Sequence, residues 1–357
     1  MLPNSKDKTI RSGILTWAQQ HPRDLPWKDT SDPYRIWVSE IILQQTRVQQ
    51  GTPYYHRFIE TFPNVFKLAS ASIDDLYKVW EGLGYYRRAR HMHEAAQRIV
   101  NEFEGNFPTS YDEILSLKGV GPYAAAAIGS FAFGLPHPVI DGNVQRVMAR
   151  LYGIHAETDS TAGKKEVEKV VSGVFDKNDP ATFNQAIMDF GALHCKPQNP
   201  SCADCPLSGS CYAWKNQIVH QLPRKKTKKP RKERFFYYLV FRNETDIWIR
   251  KREANDVWQH LYEFYLVEHS EPKPWSEILN LLPPEIEVLH TSEAYRQLLT
   301  HQQIHASFSE VYLPTDYELR NVQDMMRINQ EKLENFAFPK VIDCYLRDNS
   351  VTLNLAF

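Results

Sequence analysis

Apolar and polar positions change their rhythm once along this chain. Up to about residue 223, apolar residues recur at helical spacing in Ala-rich and Leu/Ile-rich segments, and Pro or Gly closes most of them. Asp32 and Pro33 start one such helix, which runs through RIWVSEIILQQTRV with Glu40 near its middle. YDEILSLK predicts a short amphipathic helix ended by Lys118. GVG predicts a tight turn with two conformationally free residues, and Pro122 suits the first position of a second helix through YAAAAIGSFAF. After residue 234 the rhythm shortens. FFYYLVF (235–241), IWIR (247–250), LYEFYLVE (261–268) and HASFSEVYL (305–313) predict strands rich in aromatic and β-branched residues, and IEVLH (286–290) a further one.

Charge marks the same boundary. Residues 1–223 are balanced, with 23 basic and 23 acidic side chains. Residues 224–234 (RKKTKKPRKER) carry eight basic and one acidic, and 235–357 carry 11 basic and 19 acidic. The basic run holds a proline and no apolar residue, so it reads as a solvated linker, with contact along a polyanion an even alternative. Three parts follow: a helical domain over 1–223, a linker over 224–234 and a strand-rich domain over 235–357. At 357 residues and 42% hydrophobic, the chain is long and apolar enough to bury two cores. No uncharged apolar run approaches the roughly 18 residues of a membrane span, and MLPNSKDKTIRS lacks the apolar centre of a signal peptide. The expectation is a soluble cytoplasmic protein.

Four of five cysteines crowd into residues 195–211: Cys195, Cys202, Cys205 and Cys211, at C-x6-C-x2-C-x5-C. Pro197, Pro200, Pro206 and Gly209 let the loop turn its thiolates inward. Four thiolates suit zinc or an iron–sulfur cluster, and the spacing leaves that choice open. Cys344 reads as a small buried hydrophobe.

Two carboxylates stand in contrasting settings. Glu40 has Ile36, Trp37 and Leu43 as helical neighbours, so burial would raise its pKa and make it a general acid. From one helix alone, a Glu40 pointing to solvent is the simpler reading. Asp141, between PVI and GNVQRVMARLYG, is placed as an N-cap whose backbone bonds favour the ionised form. Such a pair, with pKa values pushed apart, serves glycoside cleavage. In the 111–135 hairpin, backbone N–H groups at a glycine turn form a socket for a phosphate.

GVGPYAAAAIG, VIDGNVQRV and the cysteine spacing together resemble the helix–hairpin–helix DNA glycosylase superfamily that includes endonuclease III. WVSEIILQQTRV, EGLGYYRRAR, LKGVGPY and FNQAIMDFGALHC resemble its adenine DNA glycosylases more closely. The likeness runs from LPW (25–27) to the end. It implies a mainly α helix–hairpin–helix domain with an iron–sulfur loop, followed by an α+β MutT/Nudix-like domain. It implies a [4Fe-4S] cluster at the four cysteines, and release of adenine mispaired with 8-oxoguanine or guanine in double-stranded DNA by a nucleoid-associated bacterial monomer. Glu40 matches the acid that protonates the departing adenine, and Asp141 the carboxylate that stabilises the oxocarbenium-like sugar. Tyr123 and Asn143 match supporting positions. Gln45, Thr46, Leu83 and Tyr85 match residues that probe the duplex, and Gly119 and Gly121 the phosphate-gripping hairpin.

Two features separate this chain from relatives. Lyase relatives carry a lysine 18 residues before the aspartate, where this chain has Tyr123, so no Schiff base forms there. No Nudix box (GX5EX7REUXEEXGU) follows residue 234, so the second domain should recognise DNA rather than hydrolyse nucleotides. The Phe-Ser-His reader of 8-oxoguanine is matched by Leu299-Thr300-His301, which keeps the hydroxyl and imidazole but loses the aromatic. Two alternatives are a pyrimidine-lesion glycosylase/lyase resembling endonuclease III and a non-catalytic DNA-binding module. Tyr123 and the long second domain oppose the first, and Glu40 with Asp141 the second.

Overall fold

Each half of the chain solves its burial problem with a different layer. The computed structural model describes residues 4–227, 230–280, 282–283, 286–314, 317 and 324–349. They form two compact units, Met1–Ser70 with Arg90–Thr227, and Ala71–Ala89 with Lys228–Phe357. The helical domain expected over 1–223 is therefore interrupted, because residues 71–89 pack with the strand-rich part.

The first unit is built of helices whose apolar stripes meet in one core. Ile14, Trp17, Val144, Val147, Val171, Phe183 and Phe190 are each at most 5% exposed. Truncating a large member of such a core to alanine costs about 3–5 kcal/mol. Caps set the helix limits. The Asp32 carboxylate accepts the Tyr34 N–H at 2.9 Å and starts the Pro33–Leu43 helix. Gly134 and Gly153, at φ +63° and +73°, stop the Pro122–Phe133 and Gly142–Tyr152 helices in the left-handed conformation that glycine adopts without strain.

The second unit centres on a mixed sheet. Its strands are β1 (Lys232–Arg242), β2 (Asp246–Lys251), β3 (Tyr262–Glu263), β4 (Tyr265–His269), β5 (Glu287–Thr291), β6 (Tyr295–Leu298), β7 (Gln302–Tyr312) and β8 (Met326–Asn329). Their order is β3-β2-β1-β7-β5, with β4 beside β1, β6 beside β7 and β8 beside β2. β1 and β7 run parallel and the other pairs antiparallel. FFYYLVF is continuously apolar because both faces of β1 are covered. Phe236, Tyr238 and Val240 enter one core, and Tyr237, Leu239 and Phe241 the other. The Lys340–Asp348 helix closes the first of these with Val341, Ile342, Tyr345 and Leu346.

Four expectations need correction. The strand over 261–268 is broken at Phe264, because β3 pairs with β2 whereas β4 pairs with β1. The basic run is not a free linker. Arg224 accepts the Thr158 N–H through its carbonyl at 3.0 Å, and the Lys226 N–H reaches Asp159 at 3.0 Å. Arg234 lies inside β1, 8% exposed, paired with Glu268 and Asp256 at 2.7 Å each, so its charge is neutralised where it is buried. Lys228 and Lys229 lie outside the described residues. Cys344 is half-buried on the last helix. Lys118 follows the first hairpin helix, which ends at Ser116. Among the described residues, no helix is long and apolar enough to cross a membrane.

Candidate active site and cysteine centre

The Pro33–Leu43 helix is sheltered on nearly every side, from Tyr34 and Ile36 through Ile42. Glu40 consequently lies 7% exposed, which corrects the solvent-facing reading. Loss of hydration pushes its carboxyl from 4.5 up to about 7, and the charge of Asp141 adds to the rise. A hydrogen bond from the Tyr123 hydroxyl works against it. Tyr123 feels both carboxylates, and its hydroxyl also lies 3.5 Å from the Met188 sulfur. Glu40, Tyr123 and Asp141 therefore share one electrostatic site, although 101 residues separate the two carboxylates in the sequence.

Asp141 caps the Gly142–Tyr152 helix. One oxygen accepts the Val144 N–H at 2.8 Å, and the other accepts Asn143 Nδ2 at 2.7 Å. These bonds were expected to favour the ionised form outright. Burial outweighs them, and the net direction is upward from 3.8. The contrast with Glu40 is one of opposition. The Val144 and Asn143 hydrogen bonds and the Arg146 charge all pull Asp141 back toward ionisation, whereas Tyr123 is the hydrogen-bond donor opposing the rise at Glu40.

Sequence reasoning missed what lies behind Asn143. Arg146, 7% exposed, donates to Asn143 Oδ1 at 2.8 Å, to the Gly191 carbonyl at 2.6 Å and to the Cys195 carbonyl at 2.7 Å. One helical turn on, Arg150 is 3% exposed and reaches Cys195 Sγ at 3.4 Å and the carbonyls of Lys196, Pro197 and Leu222. Two arginines four apart on the helix that follows Asp141 were the available signal. Gly191 is packed so closely that a Cβ there would sit 2.7 Å from Asn143 Cβ.

The four cysteines line one cavity, together with Arg150, Phe190 and His194. Burial and the neighbouring thiols raise Cys202 and Cys211, and push Cys205 up to about 11. Among the described residues, no three His, Cys, Asp or Glu are arranged to hold a single metal ion.

The hairpin joins Tyr111–Ser116 to Pro122–Phe133. Gly119 takes φ +78°, and a Cβ there would meet His91 Cβ at 2.6 Å. Gly121 has ordinary extended geometry, so only one of the two glycines uses its special freedom. Nothing lies within 4 Å of where its Cβ would be, which leaves the start of the second helix open to an incoming group.

Gln45 is exposed at φ +61°, next to the half-buried Thr46. A non-glycine residue there is strained, a pattern concentrated at functional sites. Tyr85 is exposed at φ +53°, whereas Leu83 is buried at 6% and Tyr86 at 8%. Thr300 and the exposed His301 lie in the turn between β6 and β7. The Thr300 hydroxyl is 3.1 Å from that of Tyr85.

Known proteins share this organisation. The HhH-GPD superfamily of base excision DNA repair proteins matches residues 38–173, and the NUDIX domain family matches 236–348. An adenine DNA glycosylase of Buchnera aphidicola subsp. Baizongia pistaciae is 36% identical over 297 residues, covering 81% of this chain and 82% of that one. Another, from Buchnera aphidicola subsp. Schizaphis graminum, is 36% identical over 252 residues, covering 70% and 73%. The solved structure of a thermostable thymine-DNA glycosylase superposes with a TM-score of 0.55 at 30% identity, covering 60% of this chain and 98% of that one.

Proposed function

Because this chain belongs to the adenine DNA glycosylases of the HhH-GPD superfamily, we propose that it hydrolyses the N-glycosidic bond of adenine opposite 8-oxoguanine or guanine in duplex DNA. One observation carries the reading: a buried carboxyl held at about 7 shares its site with a helix-capping carboxylate. Adenine must leave the stack before its glycosidic bond is reachable, at a cost of a few kcal/mol that a mispair lowers. Glu40, about half protonated near neutrality, gives its proton to the departing base. Tyr123 orients that carboxyl. Asp141, held by the Val144 N–H and Asn143, faces the positive charge that develops on the sugar. Water is the final acceptor. With Tyr123 in place of a lysine, the chain is monofunctional and forms no Schiff base with the sugar.

Gly119, Gly121 and the open helix start grip a phosphate of the DNA. Gln45, Thr46 and Tyr85 probe the duplex, whereas Leu83 is buried. Thr300 and His301 read the 8-oxoguanine side. Cys195, Cys202, Cys205 and Cys211 would hold a [4Fe-4S] cluster. The donor set fits: four thiols line one cavity, and burial together with their neighbours opposes their ionisation, which a cationic centre would relieve. When bound, the cluster cross-links the loop that Arg146 and Arg150 fasten to the Asp141 helix.

Single-turnover base release tests the reaction on duplexes holding A opposite 8-oxoguanine, A opposite guanine, or an oxidised pyrimidine. Adenine should leave the first two, faster from the first, and borohydride should trap no covalent complex. Release of the oxidised pyrimidine alone would refute the assignment. Iron and sulfide analysis tests the cluster, and stoichiometric zinc would refute it.

A further inference from the structure

Residues 71–89 group with the strand-rich unit, and their turn presents the exposed Tyr85. Gly82, Gly84 and Tyr85 all take positive φ, at +85°, +75° and +53°. A tyrosine keeps such a conformation only where its surroundings over-determine it. Part of the restraint is internal. The Gly84 carbonyl accepts Trp80 Nε1 at 3.0 Å and an Arg88 guanidinium nitrogen at 3.2 Å. The Arg88 guanidinium also lies over the rings of Trp80 and Tyr85, at 5.2 and 5.5 Å.

The rest comes from the backbone of one residue far along the sequence, Phe338. The Phe338 N–H donates to Glu81 Oε1 at 3.2 Å, and the Phe338 carbonyl accepts the Tyr86 hydroxyl at 3.5 Å. Glu81 and Tyr86 are the two ends of the turn, so the two peptide groups flanking Phe338 hold both, the Tyr86 contact being the longer. Phe338 is 3% exposed, which makes a charged acceptor for its N–H worth more than at the surface. The other Glu81 oxygen accepts Lys78 Nζ at 2.6 Å, which fixes the carboxylate plane. The Asp74–Lys251 pair, at 2.6 Å but partly exposed, adds a weaker tie.

We infer that Glu81 is a positioning residue for base release: with Tyr86 it clips the turn onto the Phe338 backbone, so that the second domain presents Tyr85 to the duplex. This deepens the proposed reaction and rests on it. Glu81 touches no reacting atom and acts through Tyr85. The clip does not involve the lesion, so its loss slows release from A opposite 8-oxoguanine and A opposite guanine by similar factors.

The test compares Glu81→Ala, Glu81→Gln, Tyr85→Ala and the Glu81→Ala/Tyr85→Ala double variant in single-turnover base release from both mispairs. A fluorescent base analogue beside the mispair reports unstacking. Glu81→Ala should lower the rate roughly tenfold on both substrates and weaken the unstacking signal, as loss of a part-buried charge-assisted hydrogen bond implies. Glu81→Gln keeps an acceptor oxygen and should recover part of the loss. If Glu81→Ala does not fold, Glu81→Gln carries the test by falling below wild type. In the double variant, removing Glu81 should add nothing once Tyr85 is gone. Unchanged rates in both Glu81 variants, or losses that multiply in the double variant, would overturn the role while leaving the reaction standing. A wild-type chain that releases no adenine would overturn both.

Discussion

Replacing Glu40 with glutamine removes the proposed proton donor and an energetic burden in one step. The burden follows from the structure. Burial lifts the carboxyl from 4.5 to about 7, and at about 1.36 kcal/mol per pKa unit this corresponds to about 3 kcal/mol. Its sign is fixed by proton binding. Below about pH 4.5, folded and unfolded chains both hold the proton and nothing is lost. Between about 4.5 and 7 only the folded chain holds it, so stability falls as pH rises, and above about 7 the loss is complete. Glutamine keeps the oxygen that accepts from Tyr123 and never ionises. Thermal unfolding of both proteins at about pH 4.5 and pH 8 should show matching midpoints at the lower pH. At the higher pH glutamine should gain roughly 6–12 °C, taking about 2–4 °C per kcal/mol for a unit of this size. Adenine release should fall by at least about a hundredfold, the ordinary contribution of a general acid. A midpoint difference independent of pH would show that Glu40 ionises as an exposed carboxylate does, and the acid role would fall with it.

Four further outcomes follow from the same geometry. Single-turnover base release should decline as pH rises through about 7, where Glu40 loses its proton, and again on the acid side at a pH above the ordinary aspartate value, where Asp141 gains one; a flat profile over that range would contradict both assignments. Asp141→Asn should abolish release while equilibrium titration still shows duplex binding, because the proposed phosphate grip at Gly119 and Gly121 lies on another turn. Gly191→Ala would drive a methyl into Asn143 and should slow release tenfold or more through the displaced partner of Asp141, as rates of the purified variant would show. Thr300→Val should narrow the rate ratio between A opposite 8-oxoguanine and A opposite guanine, and an unchanged ratio would exclude its hydroxyl from lesion reading.

Local chemistry made much of this protein readable in one dimension. The caps at Asp32 and Asp141, the glycine stop at Gly134, the strand character of β1 and the crowding of four cysteines into one proline-rich loop depend on neighbours within a few residues. β6 and β8, short and without a strong period, were not readable, because they are held by partners far along the chain.

Only the folded chain decided which polar groups lose water. Glu40 is buried because the far side of its helix is covered too, and no pattern within that helix shows this. Asp141 carries the expected capping bonds, yet what surrounds it turns its net shift upward. Arg234 looked like a linker cation until Glu268 and Asp256 met it inside a strand. Leu83 went inward and Tyr85 outward on one turn because residues 71–89 found their packing with the second unit. Desolvation is set by every group that closes over a site, and those groups are brought together only when the chain has folded.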